Sequence, residues 1–219
     1  MVKVLTLVTT LVLSLASLRT VSSARSVDTR ERVPVVVELF TSEGCSSCPP
    51  ADEVLSRLVA TQPVPNAEII ALGEHVDYWD RLGWRDAFSS PIFTARQSEY
   101  DAKAFRTANI YTPQLVVNGR EELVGGDYRA AVSAIARAAS ALDGQAVASR
   151  VRVRVTAEHI PAKASVHAGA RIDTAGGSGS IAAADVVLAI VEDGLVSQVK
   201  RGENKGRECF QPDSVTKSI

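Results

Sequence analysis

Residues 40–50 read FTSEGCSSCPP, and they place Cys45 and Cys48 three apart with only two serines between them. A pair at this spacing can be a redox dithiol, half of a soft-metal site, or a short covalent staple. As a staple it is weak, because entropic stabilisation grows with the length of the closed loop, and this loop holds only Ser46 and Ser47. As a dithiol, the thiolate of Cys45 attacks a partner disulfide and Cys48 resolves the mixed disulfide. As metal ligands the two sulfurs bind a soft ion such as Cu(I) only with help, for instance from His75, since there is no second C-x-x-C and no H-x-x-x-H. A non-enzymatic binding protein that retains the disulfide is the remaining alternative. The third cysteine, Cys209, leaves the count odd and reads as an incidental residue of the tail, with a free or intermolecular thiol as the alternative.

The elements around the pair decide how it is presented. PVVVELF at 34–40 is a Val-rich run of strand length, suited to a strand buried on both faces. After the cysteines, Ala51, Val54, Leu55, Leu58 and Val59 form one apolar helical face, which Pro63 and Pro65 end before a second strand, AEIIAL, at 67–72. The unpaired N–H groups at a helix start favour a Cys45 thiolate there, with Cys48 about a turn in. Pro49 and Pro50 work against this by delaying the helix to Ala51.

Residues 91–108 read as a second helix opened by Pro91, and QLVV and EELV flank an Asn118-Gly119 hairpin turn. Gly125-Gly126-Asp127 then caps a third helix, YRAAVSAIARAASAL. The order β-α-β-α-β-β-α over 34–143 is that of a thioredoxin-like α/β fold, a central mixed sheet flanked by helices. From 144 to 219 the pattern is β-rich. RVRVRV at 150–155 alternates as a strand buried on its valine side, and VVLAIVEDGLVSQV reads as a hairpin turning at Asp193-Gly194. TAGGSGS at 174–180 is a loop, and the expectation for the whole is a small antiparallel β-sandwich-like domain.

Other residues bear on the dithiol. Thr112-Pro113 precedes the QLVV strand, where a thioredoxin-like fold implies a cis-proline beside the cysteines. Glu38, a carboxylate inside an apolar strand, is expected to accept the proton of Cys48 or to face an ion pair. In HVDYWDRLGW, His75 and Trp79 are candidate substrate contacts at a lip beside the dithiol. The bland alternative is that the aromatic residues pack a loop while Asp77 and Asp80 make caps and turns.

The chain has 219 residues, 46% apolar and 22% charged, with a net charge of −1, so nothing global recruits nucleic acid or an anionic membrane. Residues 1–24 combine a basic start, an apolar run and small residues ending at Ala24, the anatomy of a secretory signal peptide too short to span a membrane. Residues 25–33 read as a linker. The expected location is therefore secreted or periplasmic, with no membrane contact after cleavage and an oxidising surrounding in which a disulfide persists. The expected partners are protein thiols or disulfides, or another periplasmic protein. No cofactor is expected beyond the Cys45-Cys48 disulfide, and no resident metal.

The stretches VVVELFTSEGCSSCPPADEVLSRL, HVDYWDRLGWRDAFSSPIFTARQSEY, YTPQLVVNGREELVGGD and RGENKGR together resemble bacterial secreted proteins of domain-of-unknown-function family 1223. The resemblance covers residues 34 to about 207 and implies a thioredoxin-like domain followed by a β-rich region, with no established activity. The chain departs from the family pattern at Gly73-Glu74, which puts a charge at the end of the second strand. It departs again after RGENKGR, where ECFQPDSVTKSI replaces further strand and is expected to truncate the sandwich.

Overall fold

The computed structural model describes residues 32–143, 151–160, 165–174, 185–210 and 215–218. In chain order, β1 (Val33–Thr41) leads through the cysteine turn into α1 (Pro49–Thr61) and β2 (Ala67–His75). Then come α2 (Pro91–Tyr100), β3 (Gln114–Val117), β4 (Glu121–Val124) and α3 (Tyr128–Asp143). The C-terminal part contributes β5 (Val151–Ile160), β6 (Ser165–Thr174), β7 (Ile190–Glu192), β8 (Val196–Gln198), β9 (Glu208–Phe210) and β10 (Val215–Ser218).

The main sheet has the order β4-β3-β1-β2-β10-β7. β1 is central and runs parallel to β2 from Val33↔Ala67 to Thr41↔His75, and β3 pairs antiparallel along its other edge. Such a strand needs side chains that pack on both sides, which the VPVVVELFT run supplies. Its alternation defines two layers. Val35, Val37 and Leu39 share a core with Ala51, Leu55 and Leu58 of α1 and with Ala131 and Ile135 of α3. Phe40 points the other way, clustered with Val76 and Val116 and bordered by Tyr78, Trp79, Tyr100 and Phe105. The result is a central mixed sheet flanked by helices, consistent over β4-β3-β1-β2 with the thioredoxin-like expectation, with β10 and β7 added beyond β2.

Several local expectations need correcting. α1 starts at Pro49, with Cys48 as its N-cap, because proline fits the first helical positions, where no N–H is required. The second helix stops at Tyr100 and gives way to one π turn, Asp101–Phe105, closed by Arg106 at φ 56°. The segment at 186–199 is no hairpin. β7 pairs with β10 in the main sheet, while β8 pairs with β9, so the turn at Gly194 (φ 70°) passes the chain between sheets.

β5 and β6 form a two-stranded antiparallel ribbon, but its valine side is exposed: Val153 and Val155 are 59% and 63% accessible. No element among the described residues covers that side. The tail after RGENKGR supplies β9 and β10, and Val215 of β10 pairs with Gly73. Residues 1–24, expected to be a signal peptide, most of the expected linker at 25–33 and the glycine-rich stretch 175–180 lie outside the described residues. No helix among the described residues is long and apolar enough to cross a membrane.

Candidate functional site

Cys45 and Cys48 are joined by a disulfide. The turn that carries them is held by Cys45 N–H donating to Ser42 O (3.1 Å) and Cys48 N–H donating to Cys45 O (3.2 Å). A helix start normally offers free N–H groups to an anion. Here Pro49 and Pro50 have none, and the next two, on Ala51 and Asp52, both donate to Cys48 O at 2.8 and 3.1 Å. The first turn of α1 therefore leaves no backbone donor for a thiolate. A polar side chain near the sulfur is Ser47, whose Oγ lies 3.4 Å from Cys45 Sγ. Both cysteines are 0% accessible, whereas Ser46 and Ser47 between them are exposed.

A charged cluster lies at the same end of the sheet. Asp52 sits one helical turn after Cys48, and its Oδ1 accepts a hydrogen bond from Thr41 Oγ1 at 2.7 Å. Burial pushes the Asp52 carboxyl up to about 7, against the pull of His75 and the Thr41 hydroxyl. Thr41 is the register partner of His75, whose Nδ1 lies 2.7 Å from Asp86 Oδ2. Burial disfavours the imidazolium, but Asp86, Asp52 and Glu43 outweigh it and hold the His75 pKa above its usual value. The converse holds at Asp86. Its burial is outweighed by His75 and by N–H donation from Glu43 and Phe88, so its carboxyl stays below the usual range.

Glu43, two residues before Cys45, is buried and accepts from Trp84 Nε1 (2.7 Å) and from the Ser197 hydroxyl. Burial and then the nearby Asp86 raise its pKa.

The loop joining β8 to β9 closes over this turn. Asn204, fully buried, donates its side-chain amide to Glu43 O at 2.9 Å and to Cys45 O at 2.8 Å. Neighbouring Glu203 accepts from Ser46 N–H at 3.1 Å. RGENKGR thus meets SEGCSSC across more than 150 residues of sequence.

The sequence-predicted residues divide by face. Thr112-Pro113 is cis, and Pro113 is buried close to α1: a Cβ at Gly125 would lie 2.7 Å from Leu39 Cδ1, 3.0 Å from Ala51 Cβ and 3.3 Å from Pro113 Cβ. Only glycine fits there. Trp79 Nε1 donates to Thr112 Oγ1 at 2.8 Å, and the Trp79 Cβ stands 3.2 Å from where a Cβ of Gly44 would be. Thr112, Trp79 and the cysteine turn are therefore brought together. His75 is brought near but is 1% accessible and paired to Asp86, which takes it out of any exposed lip.

Glu38 is the clear correction. Its side chain projects from the opposite face of β1 to α1 and takes Arg96 Nε at 2.6 Å and the Tyr100 hydroxyl, so it cannot serve Cys48. Glu74, the charge at the end of β2, joins it there, 3.4 Å from Arg96 Nε. A cavity of about 580 Å³ opens beside Glu38, Arg96, Tyr100 and the Asn118–Gly119 turn, and neither cysteine lines it.

The aspartates of HVDYWD act as fasteners. Asp77 Oδ1 accepts from Thr94 Oγ1 (2.6 Å), and Asp80 accepts from Asp86 N–H (3.1 Å) and Ser89 Oγ (2.8 Å). Among the described residues no group of three or more His, Cys, Asp or Glu side chains is placed to hold a metal, which leaves the His75-assisted copper site without a ligand set.

Sequence reasoning missed Asp52, Asp86, Glu43 and Asn204. Asp52 carried a readable signal, because 48, 52, 55 and 59 share one helical face, and a carboxylate there is as anomalous as the one at Glu38. Asn204 lay within the RGENKGR stretch, with nothing local to say that it reaches Cys45.

No curated protein matches the chain. Among solved structures it is similar to the X-ray crystal structure of a protein from Agrobacterium tumefaciens, a structural-genomics target, at 38% identity and a TM-score of 0.46. That match covers 60% of this chain and about half, 54%, of the other. The family described as "Protein of unknown function (DUF1223)" matches residues 36–219, which include the cysteine turn, the His75–Asp86 pair and the Asn204 loop, and the chain belongs to that family.

Proposed function

We propose that this is an exported thiol-disulfide exchange protein whose reactive group is the Cys45–Cys48 pair. The observation that carries the reading is the juxtaposition of that pair, at the start of α1, with a half-buried carboxyl, Asp52, whose pKa of about 7 lets it give or take a proton at neutral pH. A partner thiolate attacks Cys45 Sγ, and the Cys45–Cys48 bond breaks with its electron pair on Cys48 Sγ. Cys48 then takes the proton held by Asp52. The partner's second thiolate attacks its own sulfur in the mixed disulfide and releases Cys45, so the partner is oxidised and the pair reduced. The reverse sequence oxidises the pair.

Because the helix start has no free donor, proton transfer replaces the thiolate stabilisation that a helix terminus usually supplies. Trp79 and Thr112 flank the turn and are suited to contact the partner chain. Export follows from the leader at 1–24 and supplies the oxidising surroundings in which the disulfide is maintained.

The test is catalysis of exchange between a protein disulfide and a dithiol by the mature protein, lost in Cys45→Ser. A rate equal to the uncatalysed one contradicts the reading. A second reading, a binding protein with a structural disulfide, is favoured by the 0% accessibility of both cysteines. It predicts no exchange and a loss of stability in Cys45→Ser.

A further inference from the structure

The disulfide is sealed by a part of the chain far from it in sequence. The loop from Val199 to Arg207 is a built element: Val199 N–H donates to Arg207 O (3.0 Å), Gly206 N–H to Val199 O (2.8 Å) and Lys205 N–H to Gly202 O (3.2 Å). Val199 is 2% accessible and anchors the loop. Its turns rely on Gly202 (φ 76°) and Gly206 (φ 84°), and a Cβ on Gly202 would come 3.2 Å from Trp84 Cβ.

What the loop does to the cysteine turn is specific. Asn204 spends both donors of its amide on the carbonyls of Glu43 and Cys45, and Glu203 takes the N–H of Ser46. Three backbone groups around Cys45 are thus satisfied by one loop. The residue that gains is Cys45, which an attacking thiolate must reach and which has no accessible surface. Ser46 itself is exposed, so its N–H owes its protection to Glu203.

We propose that the β8–β9 loop is a strap over the dithiol, and that a partner reaches Cys45 only when Glu203 and Asn204 let go of residues 43–46. Lifting the strap uncovers two carbonyls and one N–H next to the sulfur. That donor and acceptor set is met by an extended polypeptide segment, so the partner is a protein whose cysteine lies in an extended stretch, which takes over the bonds the strap gives up. The inference rests on the reading of Cys45–Cys48 as an exchanging pair for its biological meaning, but strap opening is measurable without it.

The experiment is the rate at which dithiothreitol reduces the disulfide, followed by alkylation and mass shift, in the mature wild-type protein, Glu203→Ala, Asn204→Ala and Gly202→Ala. Loss of the strap bonds is expected to raise the rate by about tenfold in each variant. Rates within about twofold of wild type in all three overturn the strap, since the two Asn204 bonds are buried and their loss exceeds a twofold effect.

If the variants fail to fold, hydrogen exchange at the Ser46 amide of the wild-type protein decides. Exchange slowed at least about tenfold relative to an unstructured peptide supports the strap, and exchange at the free rate overturns it. Fast reduction in the strap variants together with no catalysed exchange in any form would sink the oxidoreductase reading while leaving the strap standing.

Discussion

The hydroxyl of Thr41, at the end of the central strand, donates to the carboxyl of Asp52, one turn into the helix that starts beside the cysteines, over 2.7 Å. That bond ties the sheet end to the acid one helical turn after Cys48. It also sets Asp52 beside the strand position that faces His75, so the acid and the His75–Asp86 pair share one end of the sheet.

Asp52 makes a pH-dependent contribution that can be isolated. Its carboxyl titrates at about 7 in the folded protein and near 3.8 when unperturbed, so between these values the folded state binds the extra proton. Stability therefore falls as pH rises through that window, by up to about 1.4 kcal/mol per pH unit, and the slope ends above the folded pKa. Asp52→Asn removes this slope. Denaturant unfolding at about pH 4 and about pH 6, below the ordinary histidine range, is expected to show the variant gaining on wild type as pH rises. The same substitution is expected to slow exchange at Cys48 by at least about tenfold.

The His75–Asp86 pair is a buried ion pair, and breaking one side leaves the other uncompensated. Asp86→Asn is expected to cost about 3 kcal/mol in denaturant unfolding. It also takes away the largest influence holding the imidazolium, so the His75 pKa, followed by NMR of the ring protons, is expected to fall below its wild-type value. An unchanged His75 titration would show that Asp86 is not its controlling partner.

Glu38 separates structure from chemistry. It binds Arg96 and Tyr100 on the far face of β1, so Glu38→Gln is expected to lose about 2 kcal/mol of stability by weakening a charged hydrogen bond. Its exchange rate is expected to equal wild type. A large loss of exchange with stability intact would return Glu38 to the dithiol.

The reduction potential follows from the missing donors. Strong oxidants of this chemistry owe their potential to a stabilised reduced form. Here Pro49 and Pro50 carry no N–H, and the amides of Ala51 and Asp52 are spent on Cys48 O. The midpoint potential, measured against glutathione, is therefore expected to lie below about −200 mV, and a value near −120 mV contradicts this account of the helix start.

What could be read from sequence was what is local or periodic. The VVVELF strand, the apolar face Ala51–Leu55–Leu58, the Asn118-Gly119 turn and the Asp127 cap, whose Oδ1 accepts from Ala130 N–H, are each fixed by residues within one turn or one pleat. Departures arose where a local rule has two outcomes. Pro49-Pro50 reads as a delay to the helix, yet proline suits its first two positions and starts it at once. The assignment of the buried acid failed because alternation says which positions share a face but not which face meets α1. Glu38 drew attention as a carboxylate in an apolar strand while Asp52 was passed over, and the packed sheet puts Glu38 on the face away from α1. Asn204 was illegible for a different reason, since its contacts span 159 and 161 residues and no local pattern encodes them.

The most direct measurement of the central claim is covalent capture. The mature protein carrying Cys48→Ala, produced by export, leaves Cys45 with no partner to resolve a mixed disulfide. Nonreducing gels and mass spectrometry are expected to show adducts with other proteins that dissolve in reductant and are absent from the Cys45→Ala control. Equal patterns in the two variants, with Cys45 free and unreactive, would contradict the claim that Cys45–Cys48 exchanges disulfides with protein partners.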